Sequence, residues 1–353
     1  MPNATLTAAI DALCSGRDLD AEQAGDVLAE IMRGEVSETQ IAGFLIALRT
    51  KGETVQELTG LARTMRSLAA HVPVDRRDLL DTSGTGGGRS TFNVSTTAAL
   101  IAAGAGCAVA KHGNRSATSR SGSADLLEAL GARIDLGPEG VAQCIDEAGF
   151  GFMFAPAHHQ ATRYVVPVRR ELAVRTIFNL LGPLTNPAGA RRQLIGVSEP
   201  RFLERIAGAL AMLGVDRALV VSSEDGLDEI SAAAVTRVFE VNGEEITQYE
   251  LRPEDVGLGG TGSASPDGWG GGSPQENARV TRAILSADGE RPSAGEPLAV
   301  INAGAAIYAA GRAESIADGV QAAREAISDG SAAAALERYL QASRRHAPEG
   351  AAR

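Results

Sequence analysis

Short apolar runs alternate with helical segments from about residue 79 onward, and this alternation constrains the fold more than any other feature. The runs that predict strands are 79–82, 107–111, 150–154, 193–197 and 217–222. The helical segments between them are 95–103, 121–130, 140–148 and 201–213. Alternating strands and helices are typical of a mainly parallel sheet with helices on both faces. We therefore expect an α/β fold with a mainly parallel central sheet flanked by helices.

Further along the chain, residues 238–241 and 245–250 flank Asn242-Gly243, which is a strong hairpin signal. Helices are predicted again at 276–285, 298–310 and 315–342. Before these helices, residues 259–272 are rich in Gly, Ser and Pro, so we expect a flexible surface loop there.

The first seventy residues show only helical signals. Ser37 with Gln40 and Thr54 with Glu57 both fit a capping box, and an apolar stripe at helical spacing follows each pair. Gly52 lies between the two helices, where a left-handed residue is wanted. The sequence thus predicts a small all-helical domain over 1–72 and a larger α/β domain over 73–353.

Charge and cysteine content narrow the functional classes. The formal net charge of −11 argues against a nucleic-acid-binding surface, which needs basic residues. Three widely spaced cysteines indicate neither a disulfide framework nor a zinc site. The sequence shows neither a signal-peptide pattern nor an apolar stretch of membrane-spanning length. We expect a cytoplasmic protein with no membrane or nucleic-acid partner.

A glycine-rich segment, residues 81–97, joins a predicted strand to an alanine-rich helix. Gly84, Gly87 and Gly88 allow the backbone to approach an anion, and the helix that follows presents free N–H groups. Polar side chains at Asn93 and Ser95 could add donors, or oxygen ligands for a hard cation. The segment lacks the Gly-Lys-Ser/Thr of a P-loop. A simple turn with Ser and Thr as helix caps explains the glycine run equally well.

A second segment, residues 111–125, also follows a predicted strand and opens a helix. Lys111, Arg115 and Arg120 lie there among several Ser and Thr residues. This density of donors suits a pyrophosphate or a sugar phosphate. The alternative is a solvated basic loop, although His112 and Asn114 are unusual residues for solvation alone.

The motifs together resemble those of the anthranilate phosphoribosyltransferase family. They read Gly-Thr-Gly-Gly at 84–87, Thr-Phe-Asn-Val-Ser-Thr at 91–96, Lys-His-Gly-Asn-Arg at 111–115 and Ser-Gly-Ser-Ala-Asp at 121–125. The match continues through Pro-Val-Arg-Arg-Glu-Leu at 167–172 and Gly-Leu-Asp-Glu-Ile-Ser at 226–231, to Asn-Ala-Gly-Ala at 302–305. The family transfers phosphoribose to anthranilate in tryptophan biosynthesis.

The resemblance implies an active site in a cleft between the helical domain and the α/β domain. It also implies that helices near 161–181 complete the helical domain and that two copies form a homodimer through it. The residues it implies for phosphoribosyl pyrophosphate are Gly84, Gly87, Gly88, Thr91, Asn93, Val94, Ser95, Thr96, Lys111, His112, Gly113, Asn114, Arg115, Ser116, Ala117, Thr118, Ser119 and Ser123.

The same resemblance implies a site for anthranilate and one for Mg²⁺. The residues expected around anthranilate are Gly84, Asn114, Arg169, His112, His158 and Tyr164, and those expected to hold Mg²⁺ are Ser95, Asp228 and Glu229. Arg169 can grip a carboxylate with its planar fork, and His159 is expected to help His158 shape an aromatic slot. Two surface histidines, and a solvated Asp-Glu turn, are the alternatives.

One departure from the family pattern is visible. The family normally has Gly-Thr-Gly-Gly-Asp-Gly, whereas this chain has Gly-Thr-Gly-Gly-Gly-Arg at 84–89 and is one residue shorter. Gly88 stands where the aspartate is usual. If backbone amides dominate the contact with phosphate, we expect this loss to be tolerated.

Two other functions remain open from the sequence. One is a nucleoside phosphorylase of the same fold, against which Arg169 and the Lys111–Arg115 pattern count. The other is a non-catalytic relative that binds nucleic acid, against which the acidic balance and the Asp228-Glu229 pair count.

Overall fold

A computed structural model describes residues 2–116, 120–258, 269–286 and 294–348 of the chain. Its helices are α1 (Ala4–Cys14), α2 (Ala21–Arg33), α3 (Glu38–Lys51), α4 (Val55–Ser67), α5 (Val94–Gly104), α6 (Ser123–Leu130), α7 (Pro138–Ala148), α8 (Ala155–His158), α9 (Val166–Leu172), α10 (Phe178–Leu184), α11 (Leu203–Met212), α12 (Pro274–Leu285), α13 (Glu296–Ala309), α14 (Ile316–Ser328) and α15 (Ser331–Arg345). Its strands are β1 (Leu79–Gly84), β2 (Ala108–Gly113), β3 (Phe150–Phe154), β4 (Arg192–Gly196), β5 (Arg217–Ser223), β6 (Thr236–Asn242) and β7 (Glu245–Leu251).

The strands form one sheet in the order β3-β2-β1-β4-β5-β6-β7. β1 to β5 are parallel, and β6 and β7 form the antiparallel hairpin that the Asn242-Gly243 turn predicts. The mainly parallel sheet is therefore confirmed. The strand order reverses between β1 and β4, and their last residues, Gly84 and Gly196, are register partners. Such a switch point leaves a crevice beyond the carboxyl ends of the two strands.

Side chains from alternate strand positions enter two separate cores. In β5, Leu219 and Val221 pack into the core formed with α5, α7 and α13 to α15, while Ala218 and Val220 pack into the core on the opposite face. This alternation follows from the two-residue period of a strand. Both faces are covered, as the continuous apolar runs of the sequence require.

The second core joins the N-terminal helices to the middle of the chain. Apolar residues of α1 to α4 share it with Val168 of α9, Leu181 of α10 and Leu210 of α11. Residues 161–181, which the sequence associates with the helical domain, contribute to this shared core. The N-terminal helices thus have no separate apolar interior of their own.

The two predicted capping boxes differ. Thr54 and Glu57 form a complete box, in which the Glu57 carboxylate accepts from the Thr54 N–H at 2.8 Å. Ser37 accepts from the Gln40 N–H at 3.3 Å, but the Gln40 side chain turns to the backbone of Asn3 instead. The Ser37 box is therefore only half formed, because a partner 37 positions away in sequence competes for the glutamine.

One long predicted helix is divided in two. The sequence predicts a single helix over 315–342, whereas the structure has α14 and α15 there, because Gly330 adopts a φ of +81°. Of the glycine-rich segment 259–272, residues 259–268 lie outside the described residues. Trp269, which follows them, is buried and donates its Nε1–H to the Ala294 carbonyl at 3.1 Å.

None of the described helices has both the length and the apolar character needed to cross a membrane.

Candidate functional site

A glycine turn, residues 84–88, leaves the end of β1 at the switch point of the sheet. Gly86 and Gly87 have φ angles of +65° and +84°, which side-chain-bearing residues rarely adopt. Within the described residues, the N–H groups of Gly87 and Gly88 have no hydrogen-bond partner. Consecutive free N–H groups on a turn of this kind form a concavity that binds anions. The turn therefore offers backbone donors at the place where an α/β sheet binds ligands.

The turn is packed against Asp228, which follows β5. The Gly86 N–H donates to Asp228 Oδ2 at 3.0 Å. A Cβ atom built on Gly88 would lie 2.6 Å from Asp228 Oδ1 and 3.0 Å from the Asp228 nitrogen. Gly88 is thus required by close packing, and the turn has no space for the aspartate that the family usually carries there.

The start of α5 presents a mixture of used and free polar groups. Asn93 is fully occupied, since its Nδ2 donates to the Ser121 carbonyl and its Oδ1 accepts from Ser121 Oγ and Asn277 Nδ2. Val94 is buried in the core, and its N–H donates to the Phe92 carbonyl at 2.7 Å. Val94 therefore contributes by placing its neighbours.

The hydroxyl of Thr96, in the first turn of the same helix, is buried without a hydrogen-bond partner among the described residues. A buried hydroxyl in this condition is costly unless a ligand satisfies it. The Thr91 carbonyl packs against Gly271, where a Cβ would lie 2.3 Å from its oxygen.

Lys111, within β2, is buried to 1% exposure. Its ammonium donates to the Thr82 carbonyl and lies 3.4 Å from Ser95 Oγ. Burial lowers the pKa of Lys111 to about 8, although the negative charges of Asp81 and Glu229 oppose the shift. The lysine thus places positive charge between the end of β1 and the start of α5.

Asp228 and Glu229 are partly buried carboxylates at the same place. Burial raises the pKa of Asp228. The pKa of Glu229 is raised well above its ordinary value by burial and by the Asp228 charge, and hydrogen bonding from the Ser95 backbone opposes the rise. Two neighbouring carboxylates that resist ionisation together are a place where a bound cation is favourable. The structure brings the predicted ligands Ser95, Asp228 and Glu229 together.

Several residues of the second predicted segment, 111–125, contact α6 and not the glycine turn. Arg115 pairs instead with Asp125 and Glu128 on α6, at 2.8 Å from the former, and both partners raise its pKa. Ser116 likewise donates its N–H to Asp125 Oδ2 at 3.2 Å. The exposed Asn114 uses its Oδ1 to accept from the Arg115 N–H.

The remaining residues of this loop have mixed positions. Ala117, Thr118 and Ser119 lie outside the described residues. Gly113 ends β2 where a Cβ would meet the Phe152 ring at 2.8 Å, and Ser123 begins α6 with its side chain partly exposed.

Three buried histidines, His112, His158 and His159, lie close together. His112 donates its Nδ1–H to the Gly182 carbonyl at 3.2 Å, and its ring centroid is 5.0 Å from that of His159. His158 donates through Nδ1 to the Ala70 carbonyl. The Nε2 atoms of His112 and His158 are buried with no partner in the described part of the chain. Burial lowers the pKa of all three rings, to about 3 for His112 and about 4 for His159. These are buried rings that favour the neutral form, and not surface histidines.

Arg169 on α9 is half-buried, and burial lowers its pKa. Its guanidinium lies 5.5 Å from the centre of the Phe178 ring, and its Nη2 is 3.5 Å from Asn179 Oδ1. The same helix, α10, supplies the Gly182 carbonyl that holds His112. α10 therefore contacts both Arg169 and His112.

Tyr164 is less central than the sequence suggests. Its hydroxyl accepts from Arg163 Nη2 at 2.8 Å. Its ring covers Gly34 at the end of α2, where a Cβ would meet the ring at 2.6 Å.

Sequence reasoning missed several residues that shape the site. Arg175 contacts the carbonyls of the glycine turn. Asn186 donates its Nδ2–H to Asp81 Oδ2 at 2.8 Å, and both side chains are buried. Asp81 also accepts from the His112 N–H at 3.1 Å, and burial raises its pKa to about 6. A buried aspartate inside an apolar strand is the one signal that the sequence offered for this pair.

Comparison with known proteins gives consistent relatives. Residues 76–333 match the glycosyl transferase family a/b domain, and residues 7–69 match that family's helical bundle domain. The chain is 52% identical over 347 residues to the anthranilate phosphoribosyltransferase of Rubrobacter xylanophilus, covering 98% of this chain and 100% of that protein.

Solved structures show the same similarity. The anthranilate phosphoribosyltransferase of Thermus thermophilus has a TM-score of 0.88 and 47% identity, covering 95% of this chain and 99% of that one. The anthranilate phosphoribosyltransferase of Saccharomyces cerevisiae, in complex with PRPP and Mg, has a TM-score of 0.87 and 26% identity. The match covers 97% of this chain and 99% of that one.

Proposed function

This chain belongs to the glycosyl transferase family, among its anthranilate phosphoribosyltransferases, and from that premise we propose which of its residues carry out the transfer. The reaction transfers 5-phosphoribosyl from phosphoribosyl pyrophosphate to the amine of anthranilate. It is the second step of tryptophan biosynthesis from chorismate. The anomeric carbon loses its bond to pyrophosphate oxygen and gains a bond to nitrogen, and the amine loses a proton.

This assignment of residues rests on the free N–H groups of Gly87 and Gly88, which lie beside the Asp228-Glu229 pair. They form a compact anion site next to two carboxylates, which matches a pyrophosphate that brings its own cation. Thr96 Oγ1 adds an unsatisfied donor at the start of α5. The buried Lys111 ammonium, 3.4 Å from Ser95 Oγ, supplies positive charge. The pyrophosphate of the substrate would lie across these groups.

The residues present fit a magnesium ion. Mg²⁺ is usually held by one or two carboxylates together with substrate phosphates, not by a complete protein cage. Within the described residues, no cluster of three or more Asp, Glu, His or Cys side chains offers such a cage. Asp228 and Glu229, with Ser95 beside them, would hold the ion against the substrate. When bound, it neutralises negative charge on the departing pyrophosphate.

Anthranilate would lie on the side of α9 and α10. Arg169 is the cation for its carboxylate, since its guanidinium is half-buried and its one side-chain hydrogen bond among the described residues is a long contact to Asn179. His112 and His158 each have an unpartnered Nε2 acceptor that can receive an N–H of the amine. The lowered pKa of each ring makes it a weak base. We assign these rings to orienting the amine, so positioning and charge stabilisation supply most of the rate.

We also propose that two copies associate through the helical domain. Ile46 on α3, Val166 on α9 and Val174 just after it are large apolar side chains exposed at 38%, 42% and 43%. α3 and α9 pack against each other, so these residues lie on neighbouring elements. Sedimentation equilibrium of the wild type and of Ile46→Glu would test the proposal. A wild-type monomer would refute it, and a dimer that ignores the substitution would move the interface elsewhere.

The direct test of the function is the loss of anthranilate fluorescence with phosphoribosyl pyrophosphate and Mg²⁺. We expect turnover that needs all three components. The nucleoside phosphorylase alternative predicts instead that inorganic phosphate cleaves a pyrimidine nucleoside. A protein that releases base from nucleosides and leaves anthranilate unchanged would contradict our proposal.

A further inference from the structure

Arg175 lies in the short segment between α9 and α10, and its guanidinium reaches over the glycine turn. One nitrogen, Nη2, donates to the Gly86 carbonyl at 2.9 Å and lies 3.4 Å from the Thr85 carbonyl. The other, Nη1, donates to Ser198 Oγ at 3.0 Å. Two positions earlier, Ala173 has a φ of +52° and is the one non-glycine residue with a positive φ in the described part of the chain. The backbone bends sharply there and carries Arg175 toward the turn.

Ser198, which follows β4, completes the same set of contacts. Its hydroxyl donates to the Gly86 carbonyl at 2.8 Å, and its N–H donates to Thr85 Oγ1 at 3.1 Å. The Gly86 carbonyl thus accepts from two side chains, one from each of two separate chain segments. A carbonyl with two such donors is held in one direction.

The direction of these carbonyls determines where the next N–H groups point. The described chain contains no cis peptide bond. In a trans peptide the carbonyl of one residue and the N–H of the next point in opposite directions. The Thr85 carbonyl faces Arg175, and the Gly86 N–H accordingly reaches Asp228 on the opposite side. By the same geometry, the Gly86 carbonyl faces Arg175 and the free Gly87 N–H points away from it.

We propose that Arg175 is a positioning residue, which holds the carbonyls of the glycine turn on one side so that the Gly87 N–H faces the phosphate site. It acts through the turn and need not touch the substrate. Gly87 lies against Arg175 so closely that a Cβ would collide with Nη1. The role rests on the proposed function, because it presupposes that the turn binds the pyrophosphate of phosphoribosyl pyrophosphate.

The inference separates Arg175 from Arg169, although the two are only about two helical turns apart in sequence. Arg169 is assigned to anthranilate, whereas Arg175 contacts the glycine turn together with Ser198 and Glu199. A merely structural role for Arg175 would loosen the whole segment between α9 and α10. It would then disturb Arg169 and lower the thermal stability as well. A positioning role affects binding of phosphoribosyl pyrophosphate alone.

Titration calorimetry with phosphoribosyl pyrophosphate and Mg²⁺, together with both KM values, tests the proposal. For Arg175→Gln we expect the affinity for phosphoribosyl pyrophosphate to fall about tenfold, as for the loss of a charge-assisted hydrogen bond. The KM for anthranilate and the melting temperature should stay close to those of the wild type. Arg175→Lys should restore part of the loss, because an ammonium can still donate to the Gly86 carbonyl.

Arg201→Gln is the matched control. Arg201 pairs with Glu199 at 2.8 Å, as Arg175 does at 3.5 Å, but Arg201 has no contact with the turn among the described residues. This variant should bind like the wild type. Ser198→Ala removes the second donor and should weaken phosphoribosyl pyrophosphate binding less than Arg175→Gln does. If Arg175→Gln does not fold, Arg175→Lys and Ser198→Ala decide the question.

The outcomes are distinct. Equal affinity for phosphoribosyl pyrophosphate in the wild type and in the Arg175 and Ser198 variants would overturn the positioning role and leave the proposed function intact. A parallel loss for both substrates with a lower melting temperature would show a structural role only. A wild-type protein that binds no phosphoribosyl pyrophosphate would contradict the proposed function itself.

Discussion

Gly86 donates its backbone N–H to Oδ2 of Asp228 at 3.0 Å, across 142 positions of sequence. The carboxylate proposed for magnesium is therefore also a support of the glycine turn. Removing the carboxylate side chain should disturb the ion and the turn together, whereas an amide at this position would remove only the charge and could still accept the Gly86 N–H.

We expect Asp228→Asn combined with Glu229→Gln to remove most activity at low Mg²⁺, because two hard oxygen ligands lose their charge. Folding should survive, since both side chains are isosteric with the originals. Activity measured across a Mg²⁺ titration checks this. Glu224→Gln, an exposed acid shortly before this pair, is the control and should behave as the wild type. Full turnover by the double variant at low Mg²⁺ would remove these residues from the metal site.

Arg169→Ala should raise the KM for anthranilate by about tenfold or more, the expected loss for a charge-assisted contact to a carboxylate. Phosphoribosyl pyrophosphate affinity should change little. Arg170→Ala changes the neighbouring residue, which is exposed, and should leave both substrates unaffected. The two KM values and calorimetry with phosphoribosyl pyrophosphate provide the measurement. A similar loss for both substrates would show that Arg169 supports the fold instead.

Gly87→Ala should weaken phosphoribosyl pyrophosphate binding severely, since its Cβ collides with Arg175 and its φ of +84° is unfavourable for alanine. Gly106→Ala is a control for the backbone strain alone. Gly106 has a φ of +86° and open space around its Cβ position, beyond the far end of α5. Calorimetry should show normal binding for Gly106→Ala. Normal binding by Gly87→Ala too would mean that backbone amides of the turn do not hold the phosphate.

Gly88→Asp should weaken the binding of phosphoribosyl pyrophosphate with Mg²⁺, although it restores the residue usual in the family. The new Cβ would lie 2.6 Å from Asp228 Oδ1, so the turn or the carboxylate must move. The added negative charge also repels phosphate. Competition binding against the wild type measures the effect. A gain in affinity from Gly88→Asp would show that the shortened turn opens easily, contrary to its close packing against Asp228.

The free energy of unfolding should fall as the pH drops from about 6.5 toward 4. Burial depresses the pKa of His159 to about 4, below the value of 6.5 that it has when exposed in the unfolded chain. This difference in pKa contributes about 3 kcal/mol to the free energy of unfolding. The contribution is fully present above the unfolded pKa of His159 and is lost as the pH falls through its folded pKa. Urea unfolding measures this contribution. The wild type and His159→Gln are compared at about pH 7 and at about pH 4.5, two values that span most of the range between the unfolded and the folded pKa.

Comparing the two proteins removes the opposite effect of Asp81, whose raised pKa favours the folded state as the pH falls. We expect the stability gap between wild type and variant to narrow, or reverse, at the lower pH. An unchanged gap would indicate that the His159 ring ionises freely in the folded protein.

The sequence predicted the strand, the glycine turn and the helix around the candidate site, for a physical reason. A glycine turn between a strand and a helix determines its own backbone path, so Gly84, Gly87 and Ser95 could be placed from pattern alone. The break between α14 and α15 could not, because Asp329-Gly330 lies inside a continuous apolar period, and only the positive φ of Gly330 ends the helix.

Contacts between distant segments could not be predicted in the same way. Arg115 resembles a phosphate ligand in sequence because Lys111 and His112 are nearby, yet two carboxylates on α6 engage it. Arg175 resembles part of an ordinary helical stretch, although it contacts Gly86, 89 positions earlier. Such partners depend on which strands become neighbours, and the sequence period of a helix or strand does not contain that information.

The core that the N-terminal helices share with α9, α10 and α11 has a consequence for the order of folding during synthesis. The ribosome produces α1 to α4 first, but Val168, Leu181 and Leu210 of their apolar interior emerge only long after α4 is complete. Until then the early helices expose the faces that those residues cover. We therefore expect the N-terminal segment to remain an incomplete bundle until those later segments are made. A cut at residue 72 would therefore divide one apolar core between the two pieces of the chain.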